Sequence, residues 1–512
     1  MTIEVDRLTR GTIHDNPGPG WLRSQALSVT PRVTETAFGN LNYRAEVTSR
    51  LSRSTFFVAD HDFQNTMSRD EYEHWSSLQD AHLRDADLIL LEGYIGPDPA
   101  DRVGCRLVIE ATQPNIVGMQ QHLYFPKDEA WSAELTVLYT PELRAQGKPD
   151  DRLIAVDLEN RLTRVLGSDY FGESKMGCLR MWNERVYDEG GLGLHAGLKV
   201  YPPEATPDGL EQSMLIIGLS GTGKTTTTFS GQLGSFPVQD DFVGLMPGGR
   251  IRTTENGCFA KTFGLDEAQE PTIYHGTTRP DAWLENVHVR EDGTVDFYDD
   301  SHTANGRSTF PFANIRHRSP LEVPNLRSLL ILNRSDHIIP AVAKLTPEQV
   351  PGYFMLGETK GTSAGGAAEE GRSLRIPGTN PFFFDDDSLQ GNRLMDLFET
   401  LDQEVGVYLL NTGRVGGVED DDRSKKVRIS DSNAILEGIV SGSIAWEADP
   451  DFGYLVATNA GVDDPELLQP RRLYDRQGRA GEYRSKVESL LDERREYLSS
   501  WKQLRPEIVS AL

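Results

Sequence analysis

The chain has 512 residues, enough for more than one domain, and its 38% hydrophobic content with 48 glycines is that of a globular protein, which excludes a disordered chain. Acidic residues outnumber basic ones 78 to 52, for a net charge of −26, and only 12 of the basic residues are lysines. Such a surface argues against nucleic acid or an anionic membrane as the main partner, and it fits a salt-rich cytosol in which screening removes self-repulsion.

Cys105, Cys178 and Cys258 are widely spaced and odd in number, so they offer neither a disulfide framework nor a CxxC metal site, and a reducing compartment fits them. The first residues carry no apolar signal-peptide core, and no run of about 18 apolar residues occurs, so a cytoplasmic protein without a membrane anchor is expected.

The first 40 residues are polar and punctuated by Pro and Gly. "AHLRDADLILLEGYIG" (81–96) then reads as a helix end running into a buried strand. In "DRLIAVDLENRLTRVLG" (151–167) apolar residues recur at helical spacing after an apolar run, so this part reads as mixed α and β with a helix here. From about 190 onward short β-rich runs dominate, "SMLIIG", "TVDFYD", "SLLILNR", "VGVYLLNTG" and "YLVATNAG", most ending at Gly, Asn or Asp. They predict a large sheet with ligand-binding loops at its strand ends. The small-residue stretch 357–371 reads as a mobile lid or an inert surface loop. The acidic runs 385–387 and 419–422 read as solvated. Segment 482–504 is an amphipathic helix expected to dock on the core.

One motif carries chemistry. "GLSGTGKTTTT" (218–228) follows the apolar run "SMLII" and matches the G-x-x-x-x-G-K-[ST] loop. Its backbone N–H groups would converge on a polyphosphate at a helix start, which nominates Gly218, Leu219, Ser220, Gly221, Thr222, Gly223, Lys224, Thr225 and Thr226 for nucleotide binding. Lys224 would reach the β and γ phosphates and the Thr225 hydroxyl would ligate Mg²⁺. A Gly-rich turn without ligand is the bland reading. Asp240 and Asp241 end another apolar run 16 and 17 residues after Lys224, where carboxylates can meet the cation bridging the phosphates. Lys261 in "CFAKTFGL" and Arg307 in "NGRSTFPF" are further cations suited to a transferring phosphoryl group, although each alone reads as a surface charge.

Taken together, "GLSGTGKTT", "DD" at Asp240, "CFAKTFGLDEAQEPTIY", "DAWLENVHVREDGTVDF", "NGRSTFPF", "LLNTG" and "VRIS" occur in an order that resembles the ATP-dependent phosphoenolpyruvate carboxykinase family. With an upstream stretch the resemblance spans 167–432. It implies an α/β (mixed), two-lobed fold, with a substrate-binding lobe at 1–190 and a P-loop nucleotide lobe at 191–512. It also implies conversion of oxaloacetate and ATP to phosphoenolpyruvate, ADP and CO₂ with Mg²⁺ or Mn²⁺. Lys261 would contact the transferred phosphoryl group and Arg307 would bridge nucleotide and substrate, with Lys224, Lys175 and Asp240 completing the catalytic set. Glu270 would hold the nucleotide and Arg428 and Ile429 would flank the adenine; a nucleotide-contacting Thr of the family has no clean counterpart in this segment, which is about two residues shorter, and Ser432 is the candidate in its place. Ser220 would meet substrate as well as nucleotide.

Two departures accompany this resemblance. In "YFGESKMGCLRMWN", Tyr170 and Lys175 match residues that line the family's substrate site, but Met176 replaces a second Lys that ligates the metal as a neutral amine. The other implied ligands, His195 and Asp241, are in register, and a thioether is a poor donor to Mg²⁺ or Mn²⁺, so metal affinity should fall. Near the N-terminus the family's carboxylate-gripping Arg motif is reduced to "TSRLSRSTFFV", with Arg50 the candidate and Arg53 its rival. Three readings follow: the carboxykinase, a kinase of the same fold acting on another small acid or alcohol, and a non-catalytic nucleotide-binding protein. The partners expected are ATP and a small acid, in a monomer or small homo-oligomer.

Overall fold

The computed structural model describes residues 4–59, 65–218, 222–360 and 373–512. Three sheets dominate it. Among the described residues, the first is a nine-stranded sheet drawn from the N-terminal third, centred on Leu88–Ile95, Val103–Glu110, Leu135–Thr140 and Leu162–Leu166. The second has eight strands, with Gln212–Ile217, Leu326–Asn333 and Gly406–Asn411 running parallel at its middle and antiparallel strands on both flanks. The third has five strands, Gly257–Lys261, Arg307–Pro311 and Trp283–Glu285 extended by Leu41–Tyr43 and Val33–Glu35, so an N-terminal segment completes a sheet of the later chain.

Strand periodicity explains how the middle sheet is buried on both faces. Leu215, Ile217, Leu329, Ile331, Val407 and Leu409 join the main core, which also receives Val137, Val165, Phe171 and Trp182 from the first sheet and the helix behind it. Their neighbours Met214, Ile216, Leu330, Leu332, Tyr408 and Leu410 point the other way, into a second core roofed by helix Ile429–Ser441. Residues two apart share a face, and fully burying one such Leu or Ile is worth about 1.5–3 kcal/mol.

Helix Gly172–Asp188 joins the sheets and is buried over its first twelve residues. The Phe171 ring before it meets Phe259 of the third sheet edge-on at 5.0 Å, and Trp182 meets Phe242 at 6.0 Å. No helix among the described residues is long and apolar enough to cross a membrane. The three cysteines are buried and free.

Most sequence expectations for elements hold. Helix Arg69–Leu83 leads into the fully buried strand Leu88–Ile95, and helix Ala480–Ser499 docks through Tyr483, Val487, Arg494 and Leu498. Two expectations need correction. Segment 151–167 is not helical: Leu153–Asp157 and Leu162–Leu166 form an antiparallel hairpin, turned at Arg161 with φ of +54°. Every residue of both strands is buried, so no polar alternation marked them as strands. The run 385–387 is half-buried and burial pushes Asp387 up to about 7, whereas the other acidic run is exposed apart from the half-buried Asp421, which Arg423 holds low. The expected lid opens on Gly357 and a strand Glu358–Lys360 paired with Ser373–Arg375; its remainder, 361–371, lies outside the described residues.

Candidate active site

The parallel strand Gln212–Ile217 delivers the chain to Gly218 at a point where only glycine fits. A Cβ there would sit 2.5 Å from Thr222 Oγ1 and 3.0 Å from Leu332 Cβ. Gly223 takes φ of +92°, a left-handed turn that starts helix Lys224–Phe229. Leu219, Ser220 and Gly221 lie outside the described residues. The Thr412 hydroxyl, just past the C-terminal end of Gly406–Asn411, donates to the Thr222 carbonyl at 2.9 Å. The loop therefore sits at the carboxyl ends of the parallel strands, where open α/β sheets collect ligands.

Asp241 is the hub of the site. Its Oδ1 takes the Lys224 ammonium at 2.5 Å and meets His195 Nε2 at 2.9 Å, and its Oδ2 takes the Lys175 ammonium at 3.1 Å. Lys175 also donates to Glu255 at 2.8 Å. Burial alone would raise Asp241, but Lys175, Lys224 and His195 outweigh it and hold the carboxyl well below its usual range. Burial works against the Lys175 charge too, yet Asp241 and Glu255 keep it an ammonium. Burial pushes Glu255 up to about 7 and also raises Asp240, which in addition faces the charge of Asp241. Of the Asp240 oxygens, Oδ2 accepts from the Cys258 thiol at 3.3 Å and Oδ1 is buried without a hydrogen-bond partner among the described residues.

His195 is lowered by burial and by Lys224. Its Nδ1 donates to the Thr379 carbonyl at 3.0 Å, which leaves Nε2 as the lone-pair nitrogen turned to Asp241. A neutral imidazole and a carboxylate at 2.9 Å want a positive charge between them. That spacing is also what two adjacent ligands keep on a six-coordinate ion with bonds of about 2.1 Å. The pair thus fits a divalent cation chemically, although among the described residues no third His, Cys, Asp or Glu joins it. Met176 does not supply the missing donor, because its buried sulfur faces an Arg180 N–H at 3.9 Å.

Lys261 and Arg307 are directly opposed across the antiparallel pair Gly257–Lys261 and Arg307–Pro311. The Phe259 ring ties Arg307 to the hub: Arg307 lies 5.1 Å from its centroid and Lys175 lies 5.9 Å from it. The Tyr170 hydroxyl is 3.5 Å from Asn305 Nδ2, which also donates to the Thr48 carbonyl at 2.7 Å. Arg50 lines a cavity of about 320 Å³ with its guanidinium 5.8 Å from the Phe382 ring, and Phe382 stands edge-on to His195 at 5.7 Å. Its rival Arg53 is instead exposed and paired with Asp150 at 3.1 Å.

On the nucleotide side, Thr226 donates to Glu270 at 2.5 Å, and Thr225 opens the same short helix half-exposed. Arg428, Ile429 and Ser432 lie at the start of helix Ile429–Ser441, with Ile429 48% exposed. That helix is joined to the end of the loop helix by Gln232 donating to Asn433 at 2.5 Å. Glu255, Thr412, Asn305 and Arg180 were not singled out from the sequence. Arg180 had a signal, since it stands four residues after Met176 and shares its helical face; Asn305 and Thr412 stand within "NGRSTFPF" and "LLNTG", and Glu255 is brought in only by the fold.

Against known families, residues 11–464 match the profile described as phosphoenolpyruvate carboxykinase. A phosphoenolpyruvate carboxykinase (ATP) of Aeropyrum pernix is 32% identical over 406 residues, covering 77% of this chain and 77% of that protein. One from a Chelativorans species is 30% identical over 83% of this chain and 80% of its own length. One from Bradyrhizobium diazoefficiens is 28% identical over 90% and 87%.

Proposed function

The chain belongs to the phosphoenolpyruvate carboxykinase family, and from that premise we propose that it converts oxaloacetate and ATP into phosphoenolpyruvate, ADP and CO₂ at the site around Asp241. Loss of CO₂ breaks a C–C bond of the β-keto acid and leaves the electron pair as an enolate. The enolate oxygen attacks the γ-phosphorus in line, and the β–γ bridging oxygen departs with ADP. The supporting observation is the meeting of Lys175, Lys224 and His195 on one carboxylate beside a glycine-framed loop. In that arrangement Lys224 exchanges Asp241 for the β and γ oxygens when the triphosphate enters. Lys261 and Arg307, opposed across their strands, neutralise the oxygens of the transferring group. Tyr170, Lys175 and Arg50 orient the acid, and an arginine fork meets a carboxylate at two points. Glu270, which accepts the Thr226 hydroxyl of the loop helix, holds the nucleotide, while Arg428, Ile429 and Ser432 flank the adenine.

Thr225 would hold one divalent cation and His195 with Asp241 another. A cation at these positions, Mg²⁺ or Mn²⁺, supplies positive charge against the polyphosphate and the enolate oxygen. With Met176 committed to Arg180, the second position rests on two protein ligands and solvent. The division into a substrate lobe (1–190) and a nucleotide lobe (191–512), and action in a salt-rich cytoplasm as a monomer or small homo-oligomer, belong to the same reading.

The test is purified protein in high salt with ATP, Mg²⁺ and Mn²⁺, followed for ADP and phosphoenolpyruvate on adding oxaloacetate. Stoichiometric appearance of both products is expected. Retained ATP binding without products under any metal condition overturns the reading, and phosphorylation of another small acid instead would favour a kinase of the same fold, the alternative that Met176 suggests.

A further inference from the structure

The cavity beside His195 holds two more guanidinium groups than the single Arg50 that the family resemblance assigns to it. Arg50 and Arg180 both line it, as do Arg375, Asp385 and Asp387. Arg375 is engaged by Glu358 at 2.8 Å and Glu493 at 2.7 Å. Arg180 is only partly engaged. Its Nη2 donates to Glu173 at 3.2 Å and lies 3.9 Å from the Met176 sulfur, while its Nη1 is buried with no hydrogen-bond partner among the described residues. The residue as a whole is 4% exposed. A buried charged donor left unmade is costly, whereas the same donor facing an anion forms the stronger class of hydrogen bond.

The neighbourhood ties Arg180 to the same cleft as Arg50. Glu173, fully buried, takes Arg180 on one oxygen and the Leu51 backbone N–H on the other at 2.8 Å, so one carboxylate sets the position of Arg180 and of the residue next to Arg50. Phe382 spans from Arg50 to His195. Arg180 stands one helical turn beyond Met176 on the same face of helix Gly172–Asp188. The cavity volume suits a small organic acid with a few waters.

We propose that Arg180 is a second carboxylate-gripping residue of the substrate cleft, acting with Arg50 on the carboxylate that stays with the product. The assignment rests on the carboxykinase reading for the identity of that acid. Gripping the departing carboxylate instead would stabilise the ground state and raise the barrier to CO₂ loss, so the retained end is the one a guanidinium pair should hold.

The test uses Arg180→Gln and Arg180→Lys in the full-length protein, with malonate as the probe in calorimetry and oxaloacetate and ATP in steady-state assays. Losing a charge-assisted hydrogen bond predicts malonate binding weaker by about tenfold or more in the Gln variant. The oxaloacetate KM should rise by the same factor while the ATP KM stays within about twofold, as uniform loss of acid binding requires. The Lys variant keeps the charge without the fork and should fall between, and it carries the test should the Gln variant not fold. Unchanged malonate affinity in a folded Gln variant, no malonate binding by the parent, or parallel rises in both KM values would each overturn the proposal. Malonate binding that depends on Arg180 in a protein that does not turn over oxaloacetate would sink the carboxykinase reading and leave the anion site standing.

Discussion

His195 and Asp241 meet at 2.9 Å, Nε2 to Oδ1, while the other ring nitrogen of His195 is spent on the Thr379 carbonyl. The tautomer is thereby set, and the pair presents one nitrogen and one oxygen lone pair to a common point. Restoring a third donor should strengthen cation binding there. Met176→Lys is expected to lower thermal stability in chelator, because an ammonium would be buried beside Arg180, and to regain it with Mn²⁺ as the amine deprotonates onto the ion. Thermal melts with and without Mn²⁺, together with the Mn²⁺ dependence of turnover, check this; a melt indifferent to Mn²⁺ would count against the shared cation.

Lys224 is the only cation at the start of the loop helix, among the described residues, and its ammonium is 2.5 Å from Asp241. Lys224→Ala should leave the fold intact, since Asp241 keeps Lys175 and His195, but should reduce phosphoryl transfer at least about 100-fold. Near-parental turnover in the purified variant would remove the loop lysine from the mechanism.

Lys199, fully buried on strand Ala196–Tyr201, secures the far end of that helix. Its ammonium donates to the carbonyls of Thr227 at 3.0 Å and Ser230 at 2.6 Å and to Gln232 at 2.9 Å, with no carboxylate partner among the described residues, and burial pushes it down to about 7. Lys199→Met removes one of two donors from each of these carbonyls, which keep the Ser230 hydroxyl at 2.7 Å and the Ser235 hydroxyl at 3.2 Å, a cost of about 0.5–1.5 kcal/mol for each hydrogen bond lost. Lower thermal stability and several-fold weaker ATP binding are expected, measured by melting and by calorimetry. Equal ATP affinity would show that the helix holds its position without this tie.

Glu285 gives a pH prediction of defined sign. It is fully buried, accepts the Phe171 N–H at 2.8 Å, and burial pushes it up to about 8 from 4.5. A carboxyl that binds its proton more tightly when folded supports the native state fully below about 4.5 and loses that support as pH rises through 8. Glu285→Gln keeps the acceptor for Phe171 and cannot ionise. The variant should match the parent near pH 4 and exceed it progressively between about pH 4.5 and 8, by up to about 1.4 kcal/mol per unit of pH, with the difference levelling off above 8. Denaturant midpoints across that range decide it, and parallel curves would refute the assignment.

What could be read from the sequence was local chemistry. The loop from Gly218 to Thr225 is legible because spacing along a few residues fixes which of them can turn left-handed, approach a neighbouring strand or start a helix. The short apolar, β-rich runs around Leu330 and Leu409 and the amphipathic stripe of the C-terminal helix are also legible, since run length and helical spacing are local features. The hairpin at 153–166 reads as helix in the sequence because burial on both faces erases the two-residue period and leaves apolar residues at helical spacing. Tertiary structure alone decided that Lys175, His195 and Lys224 share one carboxylate and that Lys261 opposes Arg307. It also decided that Arg50 rather than Arg53 enters the cavity, and that Arg180 stands beside it. Those partners are separated by tens to more than a hundred residues, and charges couple through distance in space and through the water excluded between them, neither of which is written in the order of the chain.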